Sequence, residues 1–196
     1  MDCITDEVRS FVKIDSMTAS SFIEKLKNAK EIVICDSELG QRAHKELFRF
    51  HEDVYVTLSR RSLSSPPLIY DVFNAIISTV IACSEYPYLS LSKFHMVLYW
   101  ENLLRTSLWQ ETKPSITDIL LLLKNSGLTL QELQPFRKSD INDIFPWLYY
   151  GKRFDVLRKI CHAAKKQVET RVKNHPLLVS CHIIAEDSKK IVASSL

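Results

Sequence analysis

Glu31-Ile32-Val33-Ile34-Cys35 is the stretch on which the fold class turns. It reads either as a short strand or as the last turns of a helix opened by the capping box Ser21-Phe22-Ile23-Glu24. In such a box the Ser oxygen and the Glu carboxylate satisfy orphan N–H groups reciprocally. His51 to Leu58 (HEDVYVTL) poses the same choice, because its β-branched residues suit an extended chain unless packing draws them into a helix. Everything around these two segments reads as short helices separated by polar breaks. With both taken as helical, the expectation is an all-α chain of about nine short to medium helices.

Working outward, Ile4 to Ile14 has an amphipathic pattern, and Gln41 to Phe50 reads as a helix. Leu68 to Cys83 (LIYDVFNAIISTVIAC) is the most apolar stretch. It interrupts itself with Asp71 and Asn74 and falls short of the about 20 apolar residues of a membrane span, so a buried core helix is expected. Ser90 caps a helix expected to run to about Trp109. Ser115-x-x-Asp118 and Thr129-x-x-Glu132 are two further helix starts, and Gly127 stands where an αL cap is needed. Ser139 to Tyr150 is another helix, Lys152 to about Asn174 the longest, and Pro176 permits a last one before a frayed tail from Ser188. Lys113-Pro114 divides the chain into two small helical subdomains packed together, residues 1–112 and 113–196.

Composition narrows function by exclusion. The 196 residues hold only three glycines, and no two lie close enough for a dinucleotide fingerprint or a P-loop. The five cysteines are odd in number and widely spaced, which suits a reducing compartment. The acid-bearing start MDCITDEVRS lacks the apolar region of a secretory signal. Cys161-His162 and Cys181-His182, with His175 between them, are the most suggestive metal pattern. Adjacent residues on a helix diverge by about 100°, so the pairs do not converge on one ion. Buried thiols and exposed imidazoles are expected instead, with no metal, no cofactor and no catalytic residue assigned.

Charge gives the positive signal. Between Gly151 and Lys173 there are eight cationic side chains and two carboxylates, although the whole chain carries only +3. At helical spacing Leu157, Ile160, Cys161, Ala164, Val168 and Val172 share one face. Lys152, Lys159, Lys166 and Lys173 recur at seven residues on the other, flanked by Arg153, Arg158 and Lys165. Such a stripe attracts phosphate, on lipid or on nucleic acid. Arg60 and Arg61 are candidates to extend it.

Two stretches resemble the matrix proteins of orthomyxoviruses, particularly the short ones of isaviruses. Ile4-Thr5-Asp6-Glu7-Val8 with Phe11-Val12 and Ile14 looks like that family's opening helix, followed here by Ser21 to Lys30. Ser65-Pro66-Pro67-Leu68 leading into Val72 to Ile77 is similar to its Ser-Pro step into a buried helix. The family's basic cluster lies mid-chain, whereas the one here is late, and no individual binding residue is transferred. The resemblance implies a non-enzymatic structural protein that self-assembles beneath a viral envelope. It would touch anionic membrane on one side and ribonucleoprotein or RNA on the other. The implied locations are the virion, the host cytoplasm and nucleus, and the inner face of the plasma membrane. Two alternatives stay open: a helical interaction module, viral or host, and an RNA-binding protein using the same basic helix.

Overall fold

The computed structural model describes residues 24–25, 28–57, 90–110, 112–172 and 176–195. Their centre is a five-stranded mixed sheet, which corrects the all-α expectation. The strands are β1 (Glu31–Cys35), β2 (Tyr55–Thr57), β3 (Lys93–Leu98), β4 (Leu178–Ala185) and β5 (Lys190–Ser194). Their spatial order is β2-β1-β3-β4-β5, with β5 antiparallel to β4 and the other pairs parallel. Six α-helices accompany them among the described residues: α1 (Glu38–Phe48), α2 (Trp100–Leu108), α3 (Ile116–Asn125), α4 (Leu130–Leu133), α5 (Ile141–Tyr150) and α6 (Phe154–Glu169).

The correction has a physical cause. A parallel strand covered on both faces reads as a continuous apolar run, without the alternation that marks a half-exposed strand. Ile32 to Cys35 and Phe94 to Leu98 are such runs, buried throughout, and nothing in their periodicity separates them from a buried helix. The expected helix from Ser90 to Trp109 is therefore strand β3 followed by α2, and EIVIC is β1. The expected last helix after Pro176 and the tail from Ser188 form the β4–β5 hairpin. The long basic helix is shorter than its pattern at both ends, running from Phe154 to Glu169, so Lys152 and Arg153 precede it and Lys152 takes a left-handed turn conformation. Helix starts were easier to place. Ser115 caps α3 by accepting from the Asp118 N–H, and Thr129 with Glu132 forms the expected capping box on α4.

The two faces of the sheet are unequal. Ile32, Ile34, Phe94, Met96, Val179, Cys181 and Ile183 point into the large core, which α2, α5 and α6 complete. On the opposite face Val33, Cys35, Tyr55 and Val97 form a small cluster, and Ala43 of α1 packs with Tyr99 and Ile184 in another. The strands of the sheet come from both sides of residue 112. The segments Ile4 to Ile14 and Ser65 to Ile77 that carry the matrix-protein resemblance, together with the apolar stretch from Leu68 to Cys83, lie outside the described residues, and of Ser21 to Lys30 only residues 24–25 and 28–30 are described.

Helix α1 meets its side of the sheet through small residues. Ser37 caps it, accepting from the Gly40 N–H at 3.0 Å. A Cβ at Gly40 would stand 3.2 Å from Val97 Cγ1, so the missing side chain is what lets the helix lie this close to β3. Side chains four apart on a helix share a face. The turn after Gly40 therefore drives His44 into the layer between helix and strands, where it is fully buried.

Candidate metal centre

Three histidines meet beneath α1: His44 from the helix, His95 from β3 and His182 from β4, all of them buried. His95 and His182 lie two register positions apart on adjacent strands, since Val97 is the partner of His182. Alternation then puts both imidazoles on the face that α1 covers. One ring nitrogen from each histidine lies within 4.8 Å of those from the other two. The ring centroids are 5.0 Å apart for His44 and His182, 5.5 Å for His44 and His95, and 5.8 Å for His95 and His182.

Each imidazole has one nitrogen engaged and one not. His44 Nδ1 is 3.0 Å from the Tyr55 hydroxyl, His182 Nδ1 is 2.8 Å from Ser194 Oγ, and His95 Nε2 is 3.1 Å from Glu31 Oε1. The remaining nitrogens, His44 Nε2, His182 Nε2 and His95 Nδ1, are buried and without a hydrogen-bond partner. An unsatisfied buried polar atom costs about 1–3 kcal/mol, so three in one cluster of side chains are a strong departure from ordinary core packing. Metal-ligating histidines characteristically carry this arrangement, with the non-ligating nitrogen held by a carboxylate, hydroxyl or carbonyl that fixes tautomer and ring direction.

The electrostatics prepare the rings for a cation. Burial, then the neighbouring His95, pushes His44 down to about 3. Burial, then His44 and His95, does the same to His182. His95 is lowered too, again mainly by burial, with the Glu31 hydrogen bond and charge opposing the shift and Lys93 adding to it. At neutral pH all three rings are uncharged, which is the form that binds a metal. Phe48 and Phe50 close around the cluster with ring centroids 4.4–5.4 Å from the imidazoles.

Sequence reasoning missed this group and misplaced one member of it. On strand β4 neighbouring residues face opposite ways, so Cys181 enters the large core while His182 turns to the histidine cluster. His182 was expected to be an exposed imidazole; it is fully buried. Cys161 and Cys181 are both buried free thiols, and His162 is exposed, away from any convergence. Burial raises Cys181 and Cys35 well above the usual thiol range, so neither is a ready nucleophile. The signal that was available is a histidine in mid-run of two apolar segments, KFHMVL and LVSCHIIA.

The expected cationic stripe is partly dismantled by its own surroundings. Arg153 pairs with Glu132, and Lys165 with Glu169. Lys159 reaches across to Gly127 at the end of α3. Arg171 stacks over Trp109 at 3.8 Å. Lys152, Arg158 and Lys166 remain exposed and make no ion pair among the described residues. Arg60, Arg61 and Lys173 lie outside the described residues.

At the C-terminal ends of β3 and β4, where open parallel sheets commonly hold ligands, there is a cavity of about 310 Å³ bordered by Trp100, Glu101, Phe145 and Asp187. Two of its carboxylates are already engaged, Glu101 with Arg105 and Asp187 with the Tyr150 hydroxyl. Comparisons with family models, curated proteins and solved structures return no match.

Proposed function

We propose that the protein binds one transition-metal ion through His44, His95 and His182. The observation that carries this reading is the cluster of three buried histidines, a ring nitrogen of each within 4.8 Å of those of the others, with one nitrogen of each ring unpartnered and the other hydrogen-bonded. Neutral imidazole suits Zn²⁺, Co²⁺, Ni²⁺ and Cu²⁺, whereas Mg²⁺ and Ca²⁺ want oxygen. Zinc–nitrogen bonds are about 2.0–2.1 Å, so a small inward turn of the rings brings nitrogens now up to 4.8 Å apart onto one ion. Equimolar zinc is expected to stay with the protein through gel filtration, and His95→Ala or His182→Ala to lose it. Metal content near zero in the unaltered chain would refute the assignment.

A second reading concerns the outer face of α6. Arg158 and Lys166 are exposed on α6, and Lys152 is exposed in the turn before it; these cations suit an anionic membrane or RNA, the partners which the matrix-protein resemblance implies. Each well-placed cation near an anionic leaflet contributes about 1 kcal/mol, and self-association would multiply so weak an attraction. Among the described residues no helix is long and apolar enough to cross a membrane, so any membrane contact this reading gives them is peripheral. Flotation with phosphatidylserine vesicles at low salt is expected to be reduced by the double variant Arg158→Glu/Lys166→Glu. Equal flotation of variant and parent would remove α6 from that role.

A further inference from the structure

We infer that the ion held by His44, His95 and His182 keeps a fourth place open to a small anion from solvent, with hydroxide as the ligand in the absence of others. This rests on the metal reading above. The first ground is charge. Three imidazoles are neutral donors, so a divalent ion would keep both its charges in a buried site, and burying uncompensated charge is strongly unfavourable. Among the described residues Glu31 is the one carboxylate hydrogen-bonded to the cluster. It is spent on His95 Nε2 and shared with Lys93, whose Nζ lies 3.5 Å away. One carboxylate divided between two partners leaves the ion short of negative charge.

The second ground is that, among the described residues, no carboxylate or thiol joins the three ring nitrogens in the 4.8 Å group they form. The Tyr55 hydroxyl is engaged with His44 Nδ1, and Phe48 and Phe50 contribute only aromatic carbon. The third is access. His44 and His182 have no exposure, while the side chains of His95 and Glu31 retain 10% and 22%. The His95–Glu31 edge, on the β1–β3 side, is thus where the cluster comes nearest to solvent, and a small anion would enter from there.

An anion entering there bonds to the metal by its own lone pair. Where that ligand begins as water, one O–H bond breaks, the proton goes to bulk buffer and hydroxide stays on the ion. A three-histidine zinc site brings such a water to a pKa of about 7. Neutral donors favour this loss, because no anionic protein ligand quenches the charge of the ion.

Cobalt in place of zinc gives a visible absorption that reports its coordination. The full chain loaded with Co²⁺ is expected to show a spectrum that changes with azide to saturation and, without azide, with pH around neutrality. A cobalt spectrum indifferent to both azide and pH would mean that a protein atom fills the fourth place, and would overturn this inference while leaving the three-histidine site intact. No cobalt spectrum at all, with no zinc retained, would overturn the site and the inference together.

Discussion

Zinc in excess over the metal-free protein is expected to raise its melting temperature by roughly 10 °C, and to do nothing of the kind in the His182→Ala variant. Binding to the native state alone stabilises by RT ln(1 + [L]/Kd), which is about 2.7 kcal/mol at a hundredfold excess over Kd and about 4.1 kcal/mol at a thousandfold. For a chain of this size each kcal/mol moves the midpoint by about 2–4 °C. The unfolded chain competes weakly, because its three histidines stand 51 and 87 residues apart in sequence. Lys166→Glu, on the exposed face of α6, serves as the control and should keep the full shift. Differential scanning fluorimetry with and without chelator measures all three proteins. A shift that survives in His182→Ala would place the zinc elsewhere.

Acid should unfold the metal-free protein in a window set by these same rings. His44 and His182 titrate near 3 in the folded chain, against about 6.5 for a free histidine. The unfolded state therefore takes up protons first as pH falls. Stability is full above about pH 6.5 and drains towards pH 3, by up to about 1.4 kcal/mol per pH unit for each histidine. His95 adds to this in the same direction. The other titratable groups against the cluster are Glu31 of β1, Lys93 of β3 and Tyr55 of β2, the last raised by burial and by Cys35, Glu52 and Glu31. Glu132, which the Thr129 backbone and Arg153 hold at about 2, loses its contribution in a lower window. Urea midpoints at pH 7, 6 and 5 should fall step by step at constant slope. Because His44 and His182 stay neutral well below pH 7, zinc capture displaces no proton from those two rings, so affinity should fall less between pH 7 and 5.5 than it would for three ordinary histidines. A flat urea midpoint, or zinc affinity collapsing below pH 6.5, would show rings that titrate as ordinary histidines.

How much of this was readable beforehand depended on whether a signal was local. Ser115 and Thr129 announce their helices within four residues, because a cap is satisfied by its own first turn. Gly127 likewise has the positive φ its position implied, at 110°. The sheet was not readable in that way. Burial on both faces erases alternation from Ile32 to Cys35 and from Phe94 to Leu98. β4 was the exception: Val179, Cys181 and Ile183 alternate with Ser180, His182 and Ile184 between the two faces. A period of two was legible there and passed for a helix. The metal centre had no spacing motif, since its three members come from a helix and two strands joined only by the pairing of β3 with β4.

That pairing also sets the order in which the molecule comes together. β3 ends at Leu98 and β4 begins at Leu178, so their parallel register closes a loop of nearly eighty residues carrying five of the helices. Loop closure on that scale is slow, because its entropy is lost before the long-range contacts repay it. His182 cannot join His44 and His95 until the loop has closed. A metal ion thus finds its full ligand set only on a finished chain. An ion bound there would leave the folding rate nearly untouched and would act by slowing escape from the native state.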